Sequence, residues 1–274
     1  MLRGERFDAK GLNSFSSRLE ESNYYSVLLT FDSRSPDYFI KSAAALIPGN
    51  KLKYMIALRP YHMTPQLCAM MTEGYNEIDP NRLIINWVAG DFDSRKDEPL
   101  QVNVFRESEP VDNMIKRTTF LRNFVEEYNS FDIISKKPEM VFSGFSDYTL
   151  ETTRMFNGTS LCMIDDYRRN ITKFEGIKNK MVCLNPIVLK DNSQADEYKK
   201  IIGSLNPRSV DTTIVGDMDT VKKKLIDLKN EGITDILLDT NRPDFFGMHN
   251  QESKNNDRLV NELVREISGG YIDV

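Results

Sequence analysis

Short apolar runs alternate along the chain with longer segments in which apolar residues recur every three or four positions. Such runs are typical of strands covered on both faces of a parallel sheet, and the longer segments are typical of amphipathic helices. The alternation therefore predicts an α/β fold. Seven runs are interpreted as strands: Tyr25–Phe31, Leu52–Leu58, Leu83–Ala89, Glu139–Phe142, Ser160–Ile164, Met181–Leu189 and Ile236–Asp239.

The segment Lys51–Asp91 shows this alternation most clearly. Its first apolar run stops at Arg59-Pro60, and its second run ends at Gly90-Asp91. Between the two runs, Thr64 is suited to cap a helix that has Pro65 in its first position. A strand, a helix and a second strand in this order predict a right-handed βαβ unit, with both strands ending at the same edge of the sheet.

The predicted architecture is a (β/α)8 TIM-type barrel with reduced insertions, formed by residues 1–274 as a single domain. A barrel of about 250 residues is common, and no Pro/Gly/Ser-rich linker divides this chain. An eighth strand is expected before Leu12, where it would be short, degenerate or absent. A doubly wound sheet is the alternative. Pro186 lies inside an apolar run and implies an edge, a bulge or a bend in that strand.

Charge and cysteine content narrow the class of protein. The 36 basic residues are outnumbered by 41 acidic ones, giving a formal net charge of -5, which argues against a nucleic-acid partner. No run of about 18 apolar residues exists for a membrane span, and none is expected. Cys68, Cys162 and Cys183 are widely separated in apolar surroundings, so we expect reduced core thiols in the cytoplasm.

Common catalytic motifs are missing from the sequence, which contains no GxGxxG, GxxxxGK[ST] or HExxH, and no metal site is expected. Asp165 and Asp166 lie where a helix favours acidic residues in its first turn. His62 follows Tyr61 just beyond the end of a predicted strand, so it is the best candidate for proton transfer. Tyr61 could stack on a ring or donate a hydrogen bond, and for both residues ordinary surface packing is the alternative.

Four segments resemble, in the same order, segments of alkanesulfonate monooxygenase and the wider bacterial-luciferase-like flavin family. The similarity spans most of Ser22–Asp239. The segments are LKYMIALRP with the following Thr64-Pro65, NRLIINWVAGD from Asn81, MVFSGFS from Met140, and VGDMDTV from Val215 with GITD from Gly232.

The resemblance implies a barrel that uses reduced FMN, supplied by a separate reductase, and oxygen to act on a small organic substrate. Leu58 falls where relatives have a non-proline cis peptide beneath the flavin ring. The other implied cofactor-binding residues are Asn86, Ala89, Gly90, Ser143, Gly144, Phe145 and Ser146, of which Ser143, Gly144 and Ser146 are suited to surround the phosphate. The implied catalytic residues on the substrate side are Arg34, Tyr61 and His62.

Alternatives to these roles follow from the residue types themselves. Asn86 could be a satisfied polar group inside the barrel, and Ser146 could cap its helix. Asp147, in the first turn of the same helix, would repel a phosphate unless its side chain points away.

The chain also departs from the family. Ser33-Arg34-Ser35-Pro36 stands where alkanesulfonate monooxygenases have a cysteine, and Cys183 and Asn185 stand where they have an Arg-x-His pair. Sulfonate cleavage by the usual residues is therefore not expected. Two hypotheses remain: a compact flavin-dependent monooxygenase or oxidoreductase, and a non-catalytic flavin-binding or structural relative of the family. A deazaflavin in place of FMN has no support from the residues.

The resemblance further implies a homodimer, because relatives pack two helices into a bundle between subunits. The corresponding helices here are Asp37–Ile47 and Pro65–Ile78. Their small and soft faces, Ala43–Ala45 and Cys68–Met71, would permit close approach. Burial of both faces against the barrel of the same chain is the alternative.

Overall fold

A computed structural model describes residues 9–30, 38–60, 63–89, 114–205, 207–239 and 250–269. The chain divides into two compact units. The amino-terminal unit comprises residues 2–20 and 25–160, and the carboxyl-terminal unit comprises residues 21–24 and 161–274.

Strands and helices alternate along both units, as the apolar pattern predicts. Single 3-10 turns lie at Ile171–Phe174 and Asn192–Gln194. The strands are β1 Ser26–Leu29, β2 Lys53–Leu58, β3 Leu83–Val88, β4 Glu139–Ser143, β5 Thr159–Met163, β6 Asn179–Val188, β7 Thr213–Gly216 and β8 Asp235–Leu238. The helices are α1 Ala9–Glu21, α2 Tyr38–Ala44, α3 Pro65–Ile78, α4 Met114–Ser130, α5 Asp147–Met155, α6 Ile164–Arg169, α7 Ala195–Leu205, α8 Pro207–Asp211, α9 Met218–Asn230 and α10 Asn250–Gly269.

In the amino-terminal unit, β1 to β4 form a parallel sheet in chain order. Ala57 of β2 pairs with Asn86 of β3, and Val88 of β3 pairs with Ser143 of β4. The β2–α3–β3 segment is the βαβ unit that the sequence predicts. Thr64 caps α3 by accepting a hydrogen bond from the Leu67 N–H at 3.2 Å, which confirms the predicted start of this helix.

The core of this unit lies between one face of the sheet and the helices. Trp87 of β3 is fully buried, and its ring meets Phe124 and Tyr128 of α4 edge-on at centroid distances of 5.8 Å and 5.3 Å. Ile85 and Phe142 belong to the same buried cluster. Because side chains alternate along a strand, the residues between these face away from the helices.

In the carboxyl-terminal unit, β6 changes neighbours halfway along its length. Residues 181–184 pair with β8, and residues 185–188 pair with β7, both in parallel. The Leu184 carbonyl accepts from the Asp239 N–H, whereas the next N–H, that of Asn185, donates to the Thr212 carbonyl. The C=O and N–H of one trans peptide point in opposite directions, so β8 and β7 lie on opposite edges of β6.

Pro186 lies two residues beyond Leu184, so its backbone points to the same edge of β6 as that of Leu184. The pairing with β8 ends at Leu184, so β8 does not extend to Pro186. Proline has no N–H to donate, and no strand pairs with β6 at this position and edge. Of the three possibilities predicted for Pro186, the edge position is therefore confirmed. A side chain takes the place of a strand at this edge. The buried Asn256 of α10 accepts from the Val188 N–H at 2.8 Å and donates to the Pro186 carbonyl at 3.4 Å.

The structure adds a strand that was not predicted, β7 at Thr213–Gly216, while the strand expected before Leu12 stays a prediction. Residues 9–21 are helical, and residues 1–8 lie outside the described part of the chain. The four residues of β7 are too few to stand out from the polar segment before them. The predicted parallel α/β fold is confirmed, while closure of the strands into a ring stays a prediction.

Two expectations from composition can be compared with the described residues. Cys68, Cys162 and Cys183 are all buried and free, as expected for core thiols. None of the described helices combines the length and the apolar character needed to cross a membrane.

Candidate functional site

Two predicted site residues come together at the carboxyl ends of β3 and β4. Asn86 and Ser143 alternate with the buried Trp87 and Phe142, so both side chains face away from the helices. The Ser143 hydroxyl donates to Asn86 Oδ1 at 2.8 Å. Asn86 is 3% exposed, and Ser143 is half-buried.

This hydrogen bond fixes the orientation of the Asn86 carboxamide. Because Oδ1 accepts from Ser143, the Nδ2 group is directed elsewhere and keeps two N–H donors. Nδ2 makes no hydrogen bond to any residue that the structure describes. Nδ2 is not one of the fully buried unpaired atoms, so this donor is open to an acceptor atom of a ligand. Satisfaction of Asn86 as a polar group inside the barrel stays the alternative to ligand contact.

The turn after β4 carries the other predicted residues. Gly144 has φ +133°, a conformation that favours glycine, and Phe145 is 39% exposed. Ser146 caps α5: its hydroxyl accepts from the Thr149 N–H at 3.2 Å and lies 2.8 Å from the Thr149 hydroxyl. The capping alternative for Ser146 is thus what the structure shows. Asp147 is exposed in the first turn of α5, so one negative charge lies near any anion bound there.

Leu58 and Ala89 do not join Asn86. Leu58 is buried in the cluster beneath the helices, and Ala89 packs against the same cluster. Both side chains therefore lie on the face opposite Asn86. The described residues contain no cis peptide bond, so the peptide after Leu58 is trans. Four further predicted residues lie outside the described residues: Arg34, Tyr61, His62 and Gly90.

The carboxyl ends of β3 and β4 carry the neutral Asn86 and Ser143, whereas Arg59 follows β2 and the buried Asp239 follows β8. Burial raises the pKa of the Cys68 thiol to about 12, and burial with Asp166 and Asp165 nearby does the same for Cys162. Both thiols stay protonated at neutral pH and are poor nucleophiles. Asp165 and Asp166 lie in the first turn of α6 and pair with Arg169. No group of three or more metal-ligating side chains occurs among the described residues.

Asn185 in the carboxyl-terminal unit is a candidate that sequence reasoning noted only as a departure from the family. It is 2% exposed, and neither its Nδ2 nor its Oδ1 has a hydrogen-bond partner among the described residues. The signal in the sequence is one polar residue within the apolar run MVCLNPIVL, which predicts burial without predicting partners.

Solved structures share this fold along nearly the whole chain. The monooxygenase RslO1 from Streptomyces bottropensis matches with a TM-score of 0.68 and 12% identity over 95% of this chain and 93% of its own. The oxygenating constituent of 3,6-diketocamphane monooxygenase from Pseudomonas putida, in complex with FMN, matches with a TM-score of 0.64 and 13% identity over 97% and 96%.

The same fold also serves a different cofactor. The coenzyme F420 dependent tetrahydromethanopterin reductase from Methanopyrus kandleri matches with a TM-score of 0.64 and 14% identity over 94% of this chain and 95% of its own. No protein-family model matches the chain. The similarity to solved structures establishes the fold. The ligand has to be inferred from the residues at the candidate site.

Proposed function

We propose that the chain is a flavin-dependent monooxygenase that uses reduced FMN, delivered by a separate reductase, and oxygen on a small organic substrate. The observation that carries the proposal is the Ser143–Asn86 hydrogen bond, which presents an unpaired amide donor at the carboxyl ends of parallel strands. Ligands bind at this end of the strands in α/β folds. Two matched structures are monooxygenases, and one of them holds FMN.

The residues present suit a flavin. Its ring system offers carbonyl and ring-nitrogen acceptors, to which the Asn86 Nδ2 group can donate. Bound flavin would supply the redox chemistry and the reaction with oxygen. Asn86 would orient the ring, and Ser143 would hold Asn86 in the donating orientation.

The phosphate of FMN is assigned to the turn Ser143–Ser146. Small residues and the amino end of α5 favour an anion there. Because the Ser146 hydroxyl already caps α5, backbone N–H groups rather than this hydroxyl would make the main contacts. Gly144 has φ +133°, which a side chain would strain, so the path of this turn depends on glycine. Arg34, Tyr61 and His62 remain predictions for the substrate side.

Flavin binding without catalysis is the second candidate function. It is favoured by Cys183 and Asn185, which are buried neutral residues where the alkanesulfonate enzymes have an arginine and a histidine. Neither side chain can provide the charge or the proton transfer of the groups that it replaces.

Anaerobic titration with reduced FMN, followed by admission of oxygen, tests both candidates. We expect the wild-type chain to bind reduced FMN and to turn over a substrate when oxygen is present. Asn86→Ala should weaken FMN binding about tenfold, because one buried hydrogen bond to the ligand is lost. Asn76→Ala is the matched control, since Asn76 is a buried asparagine of α3 whose amide donates to Glu73 and to the Lys136 carbonyl.

The control variant should lose stability and keep its affinity for FMN. Binding without any turnover would leave the non-catalytic alternative. Failure of the wild-type chain to bind FMN in either redox state would reject both flavin functions. Tight binding of a deazaflavin with no binding of FMN would replace the cofactor and keep the site.

We also propose a homodimer in the cytoplasm, formed through α2 and α3. The residues predicted for this contact divide into two groups: Ala45, Cys68 and Ala69 are buried within their own unit, whereas Met70 is 53% exposed. Leu67 and Ile78 are also exposed on α3. These apolar side chains follow one another at helical spacing, which suits an intersubunit contact.

Light scattering tests the dimer. The wild-type chain should show twice the mass of one 31.6 kDa chain, and Met70→Lys should shift the equilibrium to the monomer. Lys223→Met, a change in charge of similar size on the exposed side of α9, is the control. A wild-type protein that stays monomeric at high concentration rejects the proposal.

A further inference from the structure

Asn185 is buried in an unusual state. Its carboxamide has two donors and an acceptor, yet Nδ2 and Oδ1 are both inaccessible to solvent and without a partner among the described residues. Its backbone is well satisfied, because the N–H donates to the Thr212 carbonyl at 2.8 Å. The strand therefore holds the residue firmly while the side chain remains unpaired.

Polar groups close to Asn185 along the strands are already engaged. Thr213, its register partner on β7, directs its hydroxyl to the Ser209 carbonyl at 2.6 Å. Asn256 uses both ends of its carboxamide on the backbone of Pro186 and Val188. Neither side chain can turn to Asn185 without losing an existing hydrogen bond.

We infer that Asn185 is a ligand-binding residue that pairs with a group offering a hydrogen-bond acceptor beside a donor, such as an amide, a lactam or an imide. A carboxamide places its acceptor and donors in one plane, so it forms two parallel hydrogen bonds with such an edge, as asparagine does with adenine. The unpaired state would otherwise oppose folding, since burying either group without a partner is unfavourable. An apolar residue would fill the same place at no such cost.

Ligands of this chemistry can come from two sources. The imide edge of a flavin has the required pattern, and so does an organic substrate that carries an amide. The inference concerns the group that Asn185 recognises and does not depend on which of the two supplies it, so it can stand even where the proposed flavin function fails.

A pair of substitutions tests the unpaired state in the ligand-free protein. Asn185→Leu and Asn256→Leu remove carboxamides of equal size that are both 2% exposed. Thermal unfolding should show Asn185→Leu unchanged or raised in Tm, because no hydrogen bond is lost. Asn256→Leu should lose several degrees, because the Val188 N–H is left unpaired. Should the leucine variant not fold, Asn185→Ala replaces it.

Ligand binding provides the direct test, with Asn230→Leu on the exposed end of α9 as the control. In the first arm, FMN and 3-methyl-FMN are titrated in both redox states. If Asn185 reads the flavin imide, methylation weakens binding at least tenfold in the wild-type chain and has no further effect in Asn185→Leu. In the second arm, benzamide and N,N-dimethylbenzamide are compared in the same way.

The inference is supported if, in either arm, methylation weakens binding in the wild-type chain but not in Asn185→Leu. If this is seen with benzamide in a chain that binds no flavin, the inference is supported and the proposed flavin function is rejected. If Asn185→Leu binds every probe as the wild-type chain does, the inference is overturned. A fall of several degrees in the Tm of ligand-free Asn185→Leu also counts against it, because it would reveal a partner within the protein.

Discussion

The two ends of the sheet in the amino-terminal unit differ in how they are held. At the amino ends of the strands, the buried Arg82 side chain donates to the carbonyls of Leu52 and Asn50, the latter at 2.7 Å. Lys53 pairs with Glu139 across the sheet. At the carboxyl ends, the cross-strand hydrogen bond between described side chains is that from Ser143 to Asn86.

This difference separates stability from function within one sheet. Ion pairs and buried hydrogen bonds at the amino ends fix the strands without occupying the other edge. The carboxyl ends can then keep the Asn86 amide donor available to a ligand. A site built in this way should tolerate changes at its own residues better than the chain tolerates changes at the opposite end.

The largest effect is expected at Arg82. Arg82→Met should lower the free energy of unfolding by about 3 kcal/mol, because the carbonyls that the guanidinium binds lose a charged donor. Denaturant unfolding followed by circular dichroism measures the change. Lys200→Met on the exposed side of α7 should stay within about 0.5 kcal/mol. A small effect at Arg82 would mean that the amino ends are not the anchor of the sheet.

Substitutions at two glycines compare a tightly packed position with an open one. A Cβ on Gly158, between α5 and β5, would lie 2.6 Å from the Phe142 ring and 3.0 Å from the Met140 carbonyl oxygen. Gly158→Ala should therefore cost about 2 kcal/mol through overpacking. Gly74→Ala, in the middle of α3, meets no atom within 4 Å and should stabilise the helix by about 0.5–1 kcal/mol. The same unfolding assay compares them, and equal effects would contradict the packing described around Gly158.

At the carboxyl ends, Ser143→Ala should cost only about 1 kcal/mol, because one partly buried hydrogen bond is removed. The affinity for FMN should fall as well, since the Asn86 amide is then free to turn. The control is Ser130→Ala, which removes an exposed hydrogen bond to the Glu127 carbonyl. A loss of stability as large as that of Arg82→Met would show that the two ends do not differ.

The smallest effect is expected from acid. Backbone and hydroxyl hydrogen bonds from Ser135, with one from Asn76, lower the pKa of Glu73 on α3. A lowered pKa stabilises the fold above the ordinary carboxyl pKa of about 4, and this contribution is lost as the pH falls through the folded-state value. Glu73→Gln should therefore show a slightly flatter decline in Tm between about pH 5 and pH 3. An unchanged acid profile would mean that these hydrogen bonds do not persist in solution.

The sequence predicts much of the fold because apolar periodicity is a local property. The start of α3 at Thr64-Pro65 and the strand Leu83–Val88 follow from their own residues. The strand Thr213–Gly216 was missed because four residues carry too little periodicity, and its place is set by pairing with β6. Pairing between strands that are distant in the chain cannot be inferred from the residues of either strand alone.

The candidate site could be predicted only in part. Asn86 and Ser143 were identified separately, and their contact depends on the register of β3 against β4, which brings Ser143 opposite Val88. Leu58 and Ala89 were placed at the flavin because of their position in the chain, but strand alternation turns their side chains toward the helices. Asn185 is unpaired because polar groups on neighbouring elements form hydrogen bonds elsewhere. The sequence of one strand does not indicate those bonds.

Asn256 has a consequence for the behaviour of the protein in concentrated solution. A strand edge with free N–H and C=O groups is a template on which a strand of another molecule can add, and this is a common route to aggregation. By engaging Val188 and Pro186, one helical side chain removes the pairing groups of β6 just beyond the last residue of β8. At Pro186 and Val188 the backbone is both paired and buried, so an incoming strand would find no free groups to pair with there.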